Sequence, residues 1–405
     1  MNKIYLYTTL LLMVILFSCK KDESSLLEPS DTFVKYFGGT YDNDASQMIQ
    51  TSDGGFILAG KTEGGSGLST MFVVKISSEG NEEWSKSYSN SNEEEATSII
   101  SGINGGYVIA SNQTDINGNQ TVFLTKIGST GSVSWRQSYF QNDSTSVEKV
   151  IATSSNEYVM IGNATKYDAT NLNPSGKSDF VLIKVNSDGD LINSSQWGGI
   201  DDDFAYDIIE SPSVNSFVVV GSTNSFQPPP LAQTSVQIAE FGYPLNLKSR
   251  SNYGGASDDI AKNIELLSDG YIICGESESN GNGGKDVYLL KTSFDIFNVI
   301  FEKYLGGSGD DIGNSLTKTS NGDFLIGGST SSFGNGNDAT NDGFLIKTNG
   351  SGNELFTQTF GHTGDENITD VLSLEDGKIA LLGVSEVGGN TLITLTKTKE
   401  DGTLN

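Results

Sequence analysis

Carboxylates dominate the chemistry open to this chain. They come in clusters: Asp42 and Asp44, Glu93 to Glu95, Asp201 to Asp203, Asp258 and Asp259, Asp310 and Asp311, Asp365 and Glu366. Where a further cluster is due, only Asp143 stands. Paired carboxylates can cleave glycosidic bonds by general acid–base chemistry. With carbonyl oxygens they can hold Ca²⁺. An Asp in a Gly-rich turn can also simply accept nearby backbone N–H groups. Recurrence in nearly every cluster favours that turn role, because a feature shared by all copies is usually architectural. Other reactive constellations are sparse. The single histidine, His362, has no neighbours in sequence that would complete a zinc set, and no Gly-x-Ser-x-Gly elbow occurs. No residue is assigned a catalytic role.

The clusters are placed by a repeat. Just before each stands a Gly-Gly-like pair, preceded in turn by Phe37, Tyr88, Tyr139, Trp197, Tyr253, Leu305 and Phe360. Seven positions after the start of each pair come Ala45, Ala96, Val147, Ala205, Ala261, Gly313 and Ile368. The copies are 51 to 58 residues apart, the length of a four-stranded propeller blade. Each holds four strand-like runs. The second is almost wholly apolar, as in Phe56-Ile57-Leu58-Ala59 and Tyr158-Val159-Met160-Ile161, and reads as buried on both faces. The third ends in a recurring lysine (Lys75, Lys126, Lys184, Lys291, Lys347, Lys397), replaced once by Glu240. The fourth alternates polar and aromatic residues, as in Trp84-Ser85-Lys86-Ser87-Tyr88, and reads as a half-exposed rim strand. Cys274 takes a position filled elsewhere by Ala59, Ala110, Ile161 and Val220, so it reads as a buried small side chain.

The last copy stops at Gly402-Thr403-Leu404-Asn405, where its fourth strand is due, and Phe33-Val34-Lys35-Tyr36-Phe37 has the form of that missing strand. The expected fold is all-β: a seven-bladed β-propeller of four-stranded antiparallel blades, closed by the N-terminal strand pairing into the last blade. In such a ring the acidic links and the links between second and third strands share one face. The second kind is long and variable, as in Lys61 to Thr70, Thr165 to Ser178, Ser222 to Thr234, Glu276 to Lys285 and Ser329 to Asp342. The other face carries short Gly turns. Binding usually resides in variable loops on a rigid scaffold. Candidate ligand-binding residues are therefore Tyr167, Phe226 and Phe333, as aromatic platforms among Asn, Ser and Gly, and Asp202, Asp258 and Asp310 at the channel mouth.

The N-terminus has the form of an export signal: Lys3, an apolar run from Tyr5 to Phe17, then Leu16-Phe17-Ser18-Cys19. The last four resemble the lipobox of bacterial lipoproteins, which implies lipidation of Cys19. The following Lys20-Lys21-Asp22-Glu23 resembles the export tag of surface lipoproteins in Bacteroidota-type bacteria. The division expected is a signal peptide at 1–18, a lipidated Cys and tether at 19–31, and one propeller at 32–405. The repeat, Gly-Gly-x-x-Asp-Asp-x-Ala then Asp-Gly-Gly-aromatic then Lys-x-x-x-x-Gly-x-x-x-Trp, is similar to propeller-like repeats of Bacteroidota-type lipoproteins. Residues 306 to 361 match it best.

The formal charge is −27, and loss of the first 18 residues removes Lys3 and no acid, leaving 23 bases against 51 acids. Such an anion is repelled by nucleic acid and by anionic lipid. The expected localisation is an outer-membrane lipoprotein held by its lipid, surface-exposed or facing the periplasm. The expected function is non-catalytic capture of a glycan or envelope protein, with no cofactor apart from a possible Ca²⁺. The competing reading is a carbohydrate-active hydrolase or lyase using the carboxylates at the mouth.

Overall fold

The computed structural model describes residues 31–65, 67–88, 92–140, 144–165, 177–226, 233–334, 340–361 and 364–404. Thr32–Asn405 form one compact unit. Within this unit, 28 strands form seven four-stranded antiparallel sheets. β1 (Phe33–Phe37) leads. Blade 1 holds β2–β5 (43–88), blade 2 β6–β9 (93–139) and blade 3 β10–β13 (145–197). Blade 4 holds β14–β17 (203–253), blade 5 β18–β21 (259–305) and blade 6 β22–β25 (311–360). Blade 7 is β26 (Glu366–Ser373), β27 (Ile379–Val387) and β28 (Asn390–Thr398), completed by β1.

Burial follows the pattern of each run. The second strands β11 and β15 are buried along their whole length, as blades packed on both sides require. The fourth strand β5 alternates between exposed and half-buried. Each first strand carries a bulge at one fixed place, between Ala45 and Gln47 in β2 and between Ala205 and Asp207 in β14. Opposite that bulge the partner strand keeps glycine in six blades and has Ser111 in blade 2. A Cβ on Gly221 would lie 1.9 Å from the Phe204 carbonyl oxygen, and one on Gly275 1.9 Å from that of Ile260. The second strands run further than their apolar cores, β3 continuing through Lys61 to Glu63, because ladder bonds to β4 persist there.

The buried apolar residues fall into seven clusters, one at each junction between adjacent blades. The junction of blades 7 and 1 packs Met48, Leu58 and Val74 against Leu382, Ile393 and Leu395, so the ring is shut. β1 closes it in antiparallel register with β28, from Phe33 opposite Lys397 to Phe37 opposite Ile393. Phe37 is buried in the same cluster, with Phe33 packed against it. Thr32 Oγ1 donates to the Leu404 carbonyl at 2.5 Å, tying together the two ends of the unit.

The two rims of the ring differ. The lower rim has short Gly turns such as Thr51–Gly55 and Ser77–Asn81, each closed by paired backbone hydrogen bonds. The upper rim has links between second and third strands that run from two residues in blade 7 (Gly388 and Gly389) to 14 in blade 3 (165–178). Deleting residues 32–37 is expected to lower the melting temperature by roughly 10 °C or more. Deleting 24–31 is expected to leave it unchanged, and thermal unfolding of the two truncations makes the comparison.

Candidate functional site

The acidic clusters meet the upper rim, and their members divide the work. In blades 4, 5 and 6 the last acid of the cluster is buried and holds the glycine turn. Asp203, Asp259 and Asp311 each accept the N–H of the second glycine (Gly199, Gly255, Gly307) at 2.7 Å. Each also accepts a serine hydroxyl, from Ser225, Ser279 and Ser332, at 2.6–2.7 Å. The first acid reaches to the preceding blade. Asp202, Asp258 and Asp310 accept the N–H of Ser178, Thr234 and Lys285 at 2.8–2.9 Å. Their own carbonyls accept Asn224, Glu278 and Ser331 N–H within their own blade at 2.8–2.9 Å. Each such residue rivets two blades. Asp365 and Asp42 repeat the arrangement on Asn341 and Thr391. Among the described residues no group of three or more His, Cys, Asp or Glu side chains gathers to hold a metal ion. Asp143 and His362 lie outside the described residues.

Deeper in the channel is a ring of side chains that the repeat pattern did not single out. It is formed by the residue after each bulge. Gln47 accepts Ile99 N–H at 3.0 Å, Ser98 accepts Val150 N–H at 3.2 Å, and Asp207 accepts Ile264 N–H at 3.0 Å. Asn263 accepts Leu316 N–H at 3.1 Å, Ser315 accepts Val371 N–H at 3.3 Å, and Asp370 accepts Met48 N–H at 2.9 Å, completing the circle. At the remaining junction Lys149 replaces the acceptor, its Nζ 3.9 Å from Asp207. Burial pushes the carboxyls of Asp207 and Asp370 up, with Lys149 opposing it at both. The signal was present in sequence as a polar residue two positions after each Ala, Val, Gly or Ile of the repeat.

Two half-buried glutamates share the channel. Burial, with Glu95 nearby, pushes Glu148 up to about 7. Burial beside Asp207 does the same to Glu265.

The mouth above is two-sided. At the channel-facing position nearest the rim, blades 4, 5 and 6 present half-buried Phe204, Ile260 and Ile312, while blades 1 and 2 present exposed Asp44 and half-buried Glu95. Lys61 stands between the two acids, 3.1 Å from Glu95 and 3.9 Å from Asp44. Two cavities share this lysine. One, of about 150 Å³, is lined by Glu93, Glu94 and Glu95 with Asn112. The other, of about 230 Å³, is lined by Asp42, Asp44 and Glu63 with Val384 and Thr391. This acidic cleft spans blades 7, 1 and 2, the sector where the upper links are shortest. Glu94 is already engaged by Arg136 at 2.8 Å and Ser111 at 2.7 Å, so the remaining acids face the opening.

The aromatic candidates separate. Phe226 stacks on Trp197 at 5.1 Å between ring centres, and the Arg250 guanidinium lies 3.8 Å above its ring. It packs the junction of blades 3 and 4. Phe333 occupies the equivalent place in blade 6, against the second glycine Gly307, and is 40% exposed. Tyr167 lies outside the described residues. Cys274 is wholly buried, and burial pushes its thiol far up. The recurring lysines serve the lower rim: Lys75 pairs with Asp53 at 2.9 Å and Glu83 at 3.2 Å, and Lys184 with Glu157 at 2.6 Å. Where Glu240 replaces the lysine, Lys248 answers it at 2.8 Å.

No family model matches the chain, and no curated protein matches it. Solved structures share its fold. The Pan2 WD40 domain of Neurospora crassa aligns with a TM-score of 0.53 at 11% identity, covering 89% of this chain and 91% of that one. Sqt1 from Chaetomium thermophilum aligns at 0.50 and 10% identity, over 87% and 82%. Puromycin hydrolase aligns at 0.50 and 12% identity, over 86% of this chain but only 53% of its own. At such identities the likeness is one of fold. A fold used by both WD40 domains and a hydrolase is compatible with a binding or scaffold role.

Two outcomes follow for the channel. Asn263→Leu orphans the Leu316 N–H and removes a 2.7 Å bond to Asp207, so it should cost about 1–3 kcal/mol in urea unfolding. Glu148 and Glu265 hold their protons more tightly folded than unfolded, so their contribution is favourable below about pH 4.5 and is lost as pH rises through about 7. The Glu148→Gln, Glu265→Gln double variant should therefore lose less melting temperature than the parent between pH 5 and pH 8. Identical pH profiles would remove the channel glutamates from the account.

Proposed function

We propose that this chain is a lipid-anchored envelope protein that captures a glycan or protein partner through its upper face without turning it over. The observation that carries the reading is the inequality of the two faces: the lower rim is closed by short turns, and the upper rim bears all the long links and the acidic cleft around Lys61. Asp202, Asp258 and Asp310 are spent on backbone N–H groups, which favours binding over hydrolysis at their positions.

The attachment point agrees with this use. β1 runs upward from the lower rim, since Phe33 lies opposite Lys397 near the lower end of β28. The stretch from Cys19 to Thr32 reaches at most roughly 45 Å when extended. A lipid on Cys19 would tether the ring from below and turn the loop-bearing face away from the membrane. The resemblance to Bacteroidota-type surface lipoproteins and the Lys20-Lys21-Asp22-Glu23 tag favour the outer surface of the outer membrane, with a periplasm-facing anchor as the alternative. A partner presenting an ammonium group, or several sugar hydroxyls, fits a cleft lined by Asp44, Glu63, Glu93 and Glu95.

A glycan array paired with pull-down from intact cells, run beside a hydrolysis screen, tests the reading. The expected result is retention of one ligand class without turnover, with affinity lowered about tenfold in Asp44→Asn or Glu95→Gln. Turnover that disappears in Asp310→Asn or Asp202→Asn would replace capture by catalysis. Protease treatment of intact cells should remove the chain if it lies at the surface and spare it if it faces the periplasm.

A further inference from the structure

The junction between blades 6 and 7 lacks large side chains that most of the other junctions carry. Two residues of each third strand face the preceding blade. The first is aromatic in four blades: Phe72, Phe123, Tyr288 and Phe344. The second is a branched aliphatic in four: Val74, Ile183, Leu290 and Ile346. In blade 7 these positions hold Thr394 and Thr396. Their neighbours Ile393 and Leu395 pack toward blade 1, so alternation turns both threonines toward blade 6.

The wall they face is depleted as well. Gly343 of blade 6 stands where Met71, Val122, Phe180, Val236, Val287 and Ile393 are buried in the other blades. Part of the lost volume is recovered near the axis. Ile368 replaces the Ala, Val or Gly of other copies and comes within 2.7 Å of where a Cβ on Gly327 would sit. The outer part stays open. It is a cavity of about 230 Å³ walled by Phe360, Leu381 and Val384 on its apolar side, with Thr394 and Thr396 bringing hydroxyls. Tyr36 and Val34 of the closing strand line it and are 46% and 38% exposed, so it is reached from the rim.

Apolar cavities of about 150 Å³ hold a benzene-sized ring. Natural cores are otherwise packed without such voids. We propose that this junction is a binding site for a small neutral molecule carrying one six-membered aromatic ring with a hydroxyl or N–H substituent. The ring takes the place of the aromatic side chain that blade 7 lacks, and the substituent meets the threonine hydroxyls. The site adjoins the upper-face cleft, with Val384 lining both.

The probe is p-cresol, titrated into the full chain by calorimetry and followed by thermal melting. One saturable site per chain is expected, with a raised melting temperature. Thr394→Phe restores the side chain found in other blades. It should weaken p-cresol binding at least tenfold while melting at or above the parent temperature. If that variant does not fold, Thr396→Leu serves the same comparison from the neighbouring position. Non-saturating uptake by the parent up to millimolar p-cresol would overturn the proposal, and so would undiminished binding in a folded filling variant.

Discussion

A blade with two apolar faces can bury both only when it stands between two other blades. Everything in this molecule answers that constraint. A row of seven such sheets would leave two greasy faces at its ends, and a ring leaves none. The ring in turn demands that the first and last blades meet, which they do through Met48, Leu58, Leu382 and Leu395. The seam is locked by lending blade 7 a strand from the other end of the chain, so the closing blade cannot leave without breaking the ladder between β1 and β28. The same logic explains the inner hydrogen-bond circle. At six of seven junctions a side chain of one blade satisfies a backbone N–H of the next, so the polar groups near the axis depend on the ring as much as the apolar faces do.

The strong acidity of the chain looks different once its location is known. Much of it is architectural. Asp203, Asp259 and Asp311 sit at the bottom of glycine turns, and Asp202, Asp258 and Asp310 bind the next blade over. Others pair with the recurring lysines along the lower rim. What remains open to a partner is concentrated around Lys61, where the upper links are short. The division between a plain face and a decorated one is a consequence of the topology, because the two kinds of long link must emerge on the same rim.

The blade count, the closing strand and the turn role of the acids were legible because each is written in one copy and repeated in the others. The inner circle was not, because donor and acceptor come from adjacent copies and neither Gln47 nor Asn263 is conspicuous alone. Lys149 was hidden for the same reason: its meaning lies in the acceptor it displaces. Phe226 reads in sequence as a ligand-binding platform on a loop, yet it is stacked between Trp197 and Arg250, partners 29 residues before it and 24 after it in the chain. The cavity between blades 6 and 7 was invisible to a reading along the sequence, since threonine suits a strand and only comparison across all seven positions shows what it lacks. Tyr167 falls outside the described residues.

The N-terminal strand is part of the seventh blade in the native state. Native-state hydrogen exchange of the β1 amides tests it most directly, because exchange reports the free energy of the opening that exposes each amide. The account predicts that the hydrogen-bonded amides between Phe33 and Phe37 open with the same free energy as those of β27 and β28. Exchange of the β1 amides at the rate of a frayed terminus, while β27 remains protected, would contradict it.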